Sequence, residues 1–177
     1  MEGASAGWSV EPVDGIYSFL FSDIDESTSL WLSDPEGMSK SLAVHDAAMR
    51  RVIADTGGIL FTTAGDSFHT AYQEPHDALK AALEARRVLT RVSWGRVGPL
   101  RDRYALHVGW AEWRQSDFFG PEVIRCARFL DVAQPNQIVM SASFAEAVAG
   151  TTLASLVQMG NHALKGFDHP TAMFAVH

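Results

Sequence analysis

Cysteine is almost missing from this chain. Cys126 is the one thiol among 177 residues, so no intramolecular disulfide can staple the fold, and a reducing compartment is the expected setting. Long apolar runs are missing too: no stretch approaches the roughly 18 apolar residues of a membrane span. The start, Met1-Glu2-Gly3, has neither the basic nor the apolar segment of a secretory signal. The expectation is a cytoplasmic protein with no membrane partner. Positive charge is scarce, with 14 Lys and Arg against 21 Asp and Glu and a formal net charge of −7. That argues against a nucleic-acid partner, because neutralising a phosphate backbone needs clustered cations. A nucleotide stays open as a ligand, since a metal ion can supply the positive charge. Glycine (14) and proline (7) are near average usage, which excludes collagen-like and low-complexity chains.

What is present suits one globular domain. Hydrophobic residues make up 47% and charged residues 20%, enough apolar surface for a real core at this length. Residues 1–14 are small and polar apart from Trp8 and Val10, and read as a leader or linker before a domain over 15–177. The run IYSFLFSDI from Ile16 is short, aromatic and β-branched, which predicts a buried strand ending near Asp23. Helices are predicted from Glu26 and, after Ser33-Asp34, from Pro35 to Gly57-Gly58. Two apolar runs around Ala64-Gly65-Asp66 read as a hairpin, and Glu74-Pro75 opens another helix. Tyr104, Leu106, Val108 and Trp110 alternate with smaller or polar residues, the period of a strand with one face in a core. A helix from Gly120-Pro121 to about Ala133, a strand at Ile138–Met140 and a helix at Ala142–Ala149 follow. Leu156–Met159 and Met173–Val176 close the chain as strands. Hairpins mixed with crossovers predict an α+β fold with a mainly antiparallel sheet flanked by helices.

Four places carry unusual polar groups. Asp23 ends an apolar strand just before a helix start, beside free N–H groups that favour anions. Asp66 sits in the hairpin turn. Turn and capping chemistry explains each alone, but together they can converge on a hard divalent cation, which takes one or two carboxylates and leaves the rest to substrate phosphates. Asp117-Phe118-Phe119-Gly120-Pro121 leads into a helix. On that helix Ile124 and Arg128 lie one turn apart on one face, with Asp131 three residues beyond Arg128 as a surface ion-pair partner.

At this point the chain resembles a known family. FLFSDIDESTSLW, GGILFTTAGDSFHTAY, DFFGPEVIRCARFL and LKGFDHPTAMFAV match, in order and spacing, the class III nucleotidyl cyclase catalytic domains, bacterial type with a compact arm. The resemblance implies a ferredoxin-like, palm-type fold and a homodimer with two composite sites. It implies that Asp23, Asp66 and the Ile24 backbone carbonyl hold two Mg²⁺ or Mn²⁺ ions. It also implies ATP as substrate, with GTP disfavoured, and in-line attack of the ribose 3′-hydroxyl on the α-phosphorus with loss of pyrophosphate. Asp117 matches the base-reading carboxylate, Arg128 the transition-state arginine and Lys165 the phosphate lysine; Ser27 and Thr28 fall on substrate-contacting positions. Aromatics around Phe118 and Phe119 are expected near the dimer contact, with burial in the core as the alternative for either one.

Three positions depart from the family pattern. Thr62 stands where adenylate cyclases carry a base-reading lysine, Ile124 where an asparagine assists the transition state, and Glu26 where a glycine faces the phosphates. Losing one preorganised polar contact costs on the order of 10²–10³ in rate. The expectation is therefore a weakly active adenylate cyclase; the alternative is a silent nucleotide-binding or regulatory module working in a heterodimer with another cyclase chain.

Overall fold

The computed structural model describes residues 11–177; residues 1–10, which hold most of the expected leader with Trp8 and Val10, lie outside the described residues. In chain order the elements are β1 (Gly15–Ile24), α1 (Ser27–Ser33), α2 (Pro35–Asp55), β2 (Ile59–Ala64), β3 (Ser67–Tyr72) and α3 (Pro75–Leu89). After a 3-10 turn (Gly95–Val97) come β4 (Asp102–Arg114), β5 (Asp117–Phe119), α4 (Pro121–Leu130), β6 (Ile138–Ser141), α5 (Ala142–Ala147), β7 (Leu156–His162) and β8 (Thr171–Val176). The strands run β2-β3-β1-β4-β6-β8-β7, with β5 paired to β4. Of these pairings only β4 with β6 is parallel. The expected α+β fold with a mainly antiparallel sheet is the one that forms. Among the described residues no helix is long and apolar enough to cross a membrane.

The alternation in β1 builds both faces of the sheet. Tyr17, Phe19 and Phe21 point to one side, where α4 packs with Cys126, Phe129 and Leu130. Leu20 and Ile24 point to the other, against Met49 and Ile53 of α2 and the alanine-rich face of α3. Cys126 is fully buried, and burial pushes its thiol well above the usual range. Helix α4 lies so close to β4 that a Cβ on Gly109 would fall 2.6 Å from Glu122. Only a residue without a side chain fits there.

One element differs from the sequence expectation. Asp117–Phe119, expected as a lead into α4, forms a strand on β4. The turn between them uses Gln115 (φ 52°) and Ser116 (φ 60°), both left-handed. Such turns are announced in a sequence by Asn-Gly or Asp-Gly, and neither is present. Strand β5 folds over the sheet, with Phe118 buried against Tyr17, Phe19, Phe61 and Trp113. Of the two readings of Phe118, core or dimer contact, its ring takes the core one within this chain. Phe119 is half-buried under the Arg114 guanidinium.

A charged pair is buried where α2 crosses the start of β4. His45 Nε2 lies 2.8 Å from Asp102 Oδ2, and both side chains are fully buried. His45 Nδ1 faces Asp46 Oδ1 at 3.3 Å. Burial disfavours the charged imidazole, but the two carboxylates outweigh it and His45 is held above its ordinary 6.5.

Candidate active site

The end of β1 and the β2–β3 hairpin turn meet through Asp66. Its Oδ2 accepts a hydrogen bond from the Ile24 backbone N–H at 2.8 Å, and its Oδ1 accepts one from the Ser27 hydroxyl at 3.1 Å. Antiparallel pairing of β1 with β3 sets this meeting: Ser22 stands opposite Phe68, so the hairpin turn falls beside Asp23–Ile24. Asp23, Asp66, Ile24 and Ser27 are thus brought together from positions 42 residues apart in the chain. Asp23 is partly buried. Desolvation raises its pKa, the Arg103 guanidinium pulls it back, and the neighbouring Asp66 charge pushes it up again.

Thr62 and Asp117 form a second meeting point. The Thr62 hydroxyl donates to Asp117 Oδ1 at 3.2 Å, and the Phe118 backbone N–H donates to the same oxygen at 2.8 Å. Neither hydrogen bond uses Asp117 Oδ2. His69, opposite Thr62 across the hairpin, stacks on Phe21 at 4.0 Å, and burial lowers its pKa.

The remaining expected residues lie on α1, on α4 and in the β7–β8 connection. Ile124 is 54% exposed on α4, so it packs into no core in this chain. Arg128 makes the surface ion pair with Asp131 at 3.3 Å. Lys165 is exposed in the β7–β8 connection and Thr28 is exposed on α1. Ser27, expected at the substrate, directs its hydroxyl to Asp66. Glu26 is exposed and adopts φ 55°, the left-handed conformation that a glycine takes without strain. An open cleft of about 460 Å³ between α2 and the 3-10 turn touches none of these residues.

Known proteins show the same arrangement of elements. A structure of an adenylate cyclase from Trypanosoma brucei superposes with a TM-score of 0.85 at 22% identity, covering 92% of this chain and 89% of that one. The fold is that of the class III nucleotidyl cyclase catalytic domain. In sequence, this cyclase-fold chain is 29% identical over 161 residues to the adenylate cyclase of Neurospora crassa, across 76% of this chain and 7% of that protein. It is 34% identical over 163 residues to an uncharacterised protein of Mycobacterium tuberculosis, across 90% of this chain. The chain spans only 55% of that relative's length. No family model matches.

The donor set of the cyclase-fold domain suits a hard divalent cation. Two carboxylates and a main-chain carbonyl are oxygen ligands, and Asp66 keeps lone pairs beyond the two already engaged. No cluster of three or more His, Cys, Asp or Glu forms a metal site among the described residues, so water and ligand oxygens would complete the coordination.

Sequence reasoning missed one residue here. Arg103 forks onto Asp23, Nε to Oδ1 at 2.9 Å and Nη2 to Oδ2 at 2.6 Å. Nothing local marks it, because the contact follows from the register that sets Asp23 opposite Arg103 between β1 and β4.

Proposed function

We propose that this chain is the catalytic domain of a slow adenylate cyclase, forming cyclic AMP and pyrophosphate from ATP at sites shared by two copies. The observation that carries this reading is the convergence of Asp66 on the Asp23–Ile24 strand end. Asp23, Asp66 and the Ile24 carbonyl would hold two Mg²⁺ or Mn²⁺ ions. When bound, these supply a lowered pKa at the ribose 3′-hydroxyl and neutralise charge on the triphosphate. The 3′-oxygen attacks the α-phosphorus in line and pyrophosphate leaves. From the second copy, Asp117 accepts a hydrogen bond from the exocyclic amine of adenine, where guanine would present an oxygen that a carboxylate repels. Arg128 and Lys165 of that copy bind phosphate oxygens.

The test is purified protein with Mn²⁺ and either ATP or GTP, with cyclic products quantified by mass. Cyclic AMP is expected to exceed cyclic GMP. Asp117→Ala is expected to erode that preference more than Thr62→Ala, and the two losses should not add, because Thr62 acts through its hydrogen bond to Asp117. Equal products from ATP and GTP in the wild type would overturn the adenine reading.

Ile124 favours a second reading, a silent nucleotide-binding partner for another cyclase chain. It stands exposed on α4, where the family pattern places an amide, and can make no hydrogen bond. Ile124→Asn is expected to raise turnover on the order of tenfold if the restored contact is worth about 1.4 kcal/mol in the transition state. At an exposed position it should change stability by only about 0.5 kcal/mol. Unchanged turnover with an unchanged melting temperature would put the silent module ahead.

A further inference from the structure

The carboxylate assigned above to cation binding is already taken. Both oxygens of Asp23 accept from Arg103, in the two-pronged geometry that gives guanidinium–carboxylate pairs their strength. The partners face each other across paired strands, so backbone register holds them together. Both are mostly shielded from solvent, Arg103 at 24% and Asp23 at 19% side-chain exposure, which limits the screening that weakens surface pairs. A guanidinium does not deprotonate in a protein. The lone pairs left on Asp23 lie beside a fixed positive charge that repels an incoming cation, so moving the Arg103 side chain opens the carboxylate, and Asp25 offers a ready acceptor, its Oδ1 being 3.9 Å from Arg103 Nε. Asp131 adds a further negative charge within electrostatic reach of both Arg103 and Asp23.

We propose that Arg103 is an internal counter-cation that latches Asp23, so that a divalent cation binds by exchange: the ion takes the Asp23 carboxylate and Arg103 swings to Asp25. The proposal rests on Asp23 being a cation ligand, and it adds a positioning residue that sets how tightly the cation is held. In the cation-free protein the latch also prevents Asp23 and Asp66 from facing each other uncompensated.

The test is Mn²⁺ titration of the whole chain without nucleotide, following the free-ion signal by electron paramagnetic resonance, with a circular dichroism melt on each protein. Arg103→Met keeps the length of the stem and removes the fork and its charge; it is expected to tighten Mn²⁺ binding on the order of tenfold. Arg103→Lys keeps the charge but offers a compact ammonium in place of the fork. It is expected to tighten binding by a smaller factor, and it carries the test alone if Arg103→Met does not fold. A residue that merely supports the fold would give weaker or unchanged binding on removal. Mn²⁺ affinity equal to or below wild type in the folded variants overturns the latch and leaves the cation site standing. No Mn²⁺ binding by wild type or variants overturns the cation site and the latch with it.

Discussion

Asp66→Asn is expected to abolish cation-dependent nucleotide binding and to lower cyclic AMP formation by about 10³-fold or more, while the melting temperature stays near that of the wild type. Asparagine keeps a side-chain oxygen where Asp66 accepts from the Ile24 N–H and the Ser27 hydroxyl. What it removes is the negative charge, and with it half of the carboxylate pair. A triphosphate facing the remaining carboxylate without cations is repelled. Asp66→Ala removes the charge and both hydrogen bonds; it is expected to cost about 1–3 kcal/mol of stability as well, since the Ile24 N–H loses its partner. Nucleotide titration with and without chelator, alongside a thermal melt, checks both variants. If Asp66→Asn bound ATP as the wild type does, with the same response to chelator, the carboxylates would have no part in binding.

His45→Ala is expected to cause the largest loss of stability, about 3–5 kcal/mol at pH 6, because it leaves Asp102 buried beside no cation. Asp102 is fully enclosed, and its second oxygen has no hydrogen-bond partner. Desolvation raises its pKa and His45 opposes that rise. The wild type carries a pH signature of the same pair. Because the folded state holds the His45 proton above the ordinary 6.5, the stability from this proton is fully present below pH 6.5. It is lost as pH rises through the raised folded-state value. His69 and His107 act in the opposite sense: burial lowers both, so the unfolded chain binds their protons more readily and their effect is to raise stability as pH climbs to about 7.5. Urea denaturation of the wild type and of His45→Ala from pH 6 to pH 9 checks this, since His69 and His107 contribute equally to both. A stability difference between the two that stayed level or grew as pH rose would mean that His45 is buried neutral.

The fold was legible where hydrophobic period and chain punctuation agree. The aromatic run into Asp23, Pro35 and Pro75 at the first turns of α2 and α3, and the Gly65-Asp66 turn each state their structure locally, and each element formed where expected. Strand β5 was illegible for the opposite reason. Gln115 and Ser116 adopt left-handed backbone without residues that advertise it, held there by the packing of Phe118 beneath the hairpin. Phe118 stayed open between core and interface, because an aromatic three residues before a helix proline carries no mark of the side it will face.

The amino-acid sequence by itself determined which chemistry the chain can hold: two acidic residues at a strand end and a hairpin turn, a third before α4, and an isoleucine where the family pattern has an amide. These follow from residue identity and short spacing. The tertiary structure alone decided what those groups touch. Asp66 orders the end of β1, Thr62 ties up one oxygen of Asp117, and Arg103 closes on Asp23. Each contact joins residues 42 to 80 positions apart, and each depends on which strands pair and in what register. A one-residue slip in that register would turn Arg103 to the opposite face of the sheet, away from Asp23.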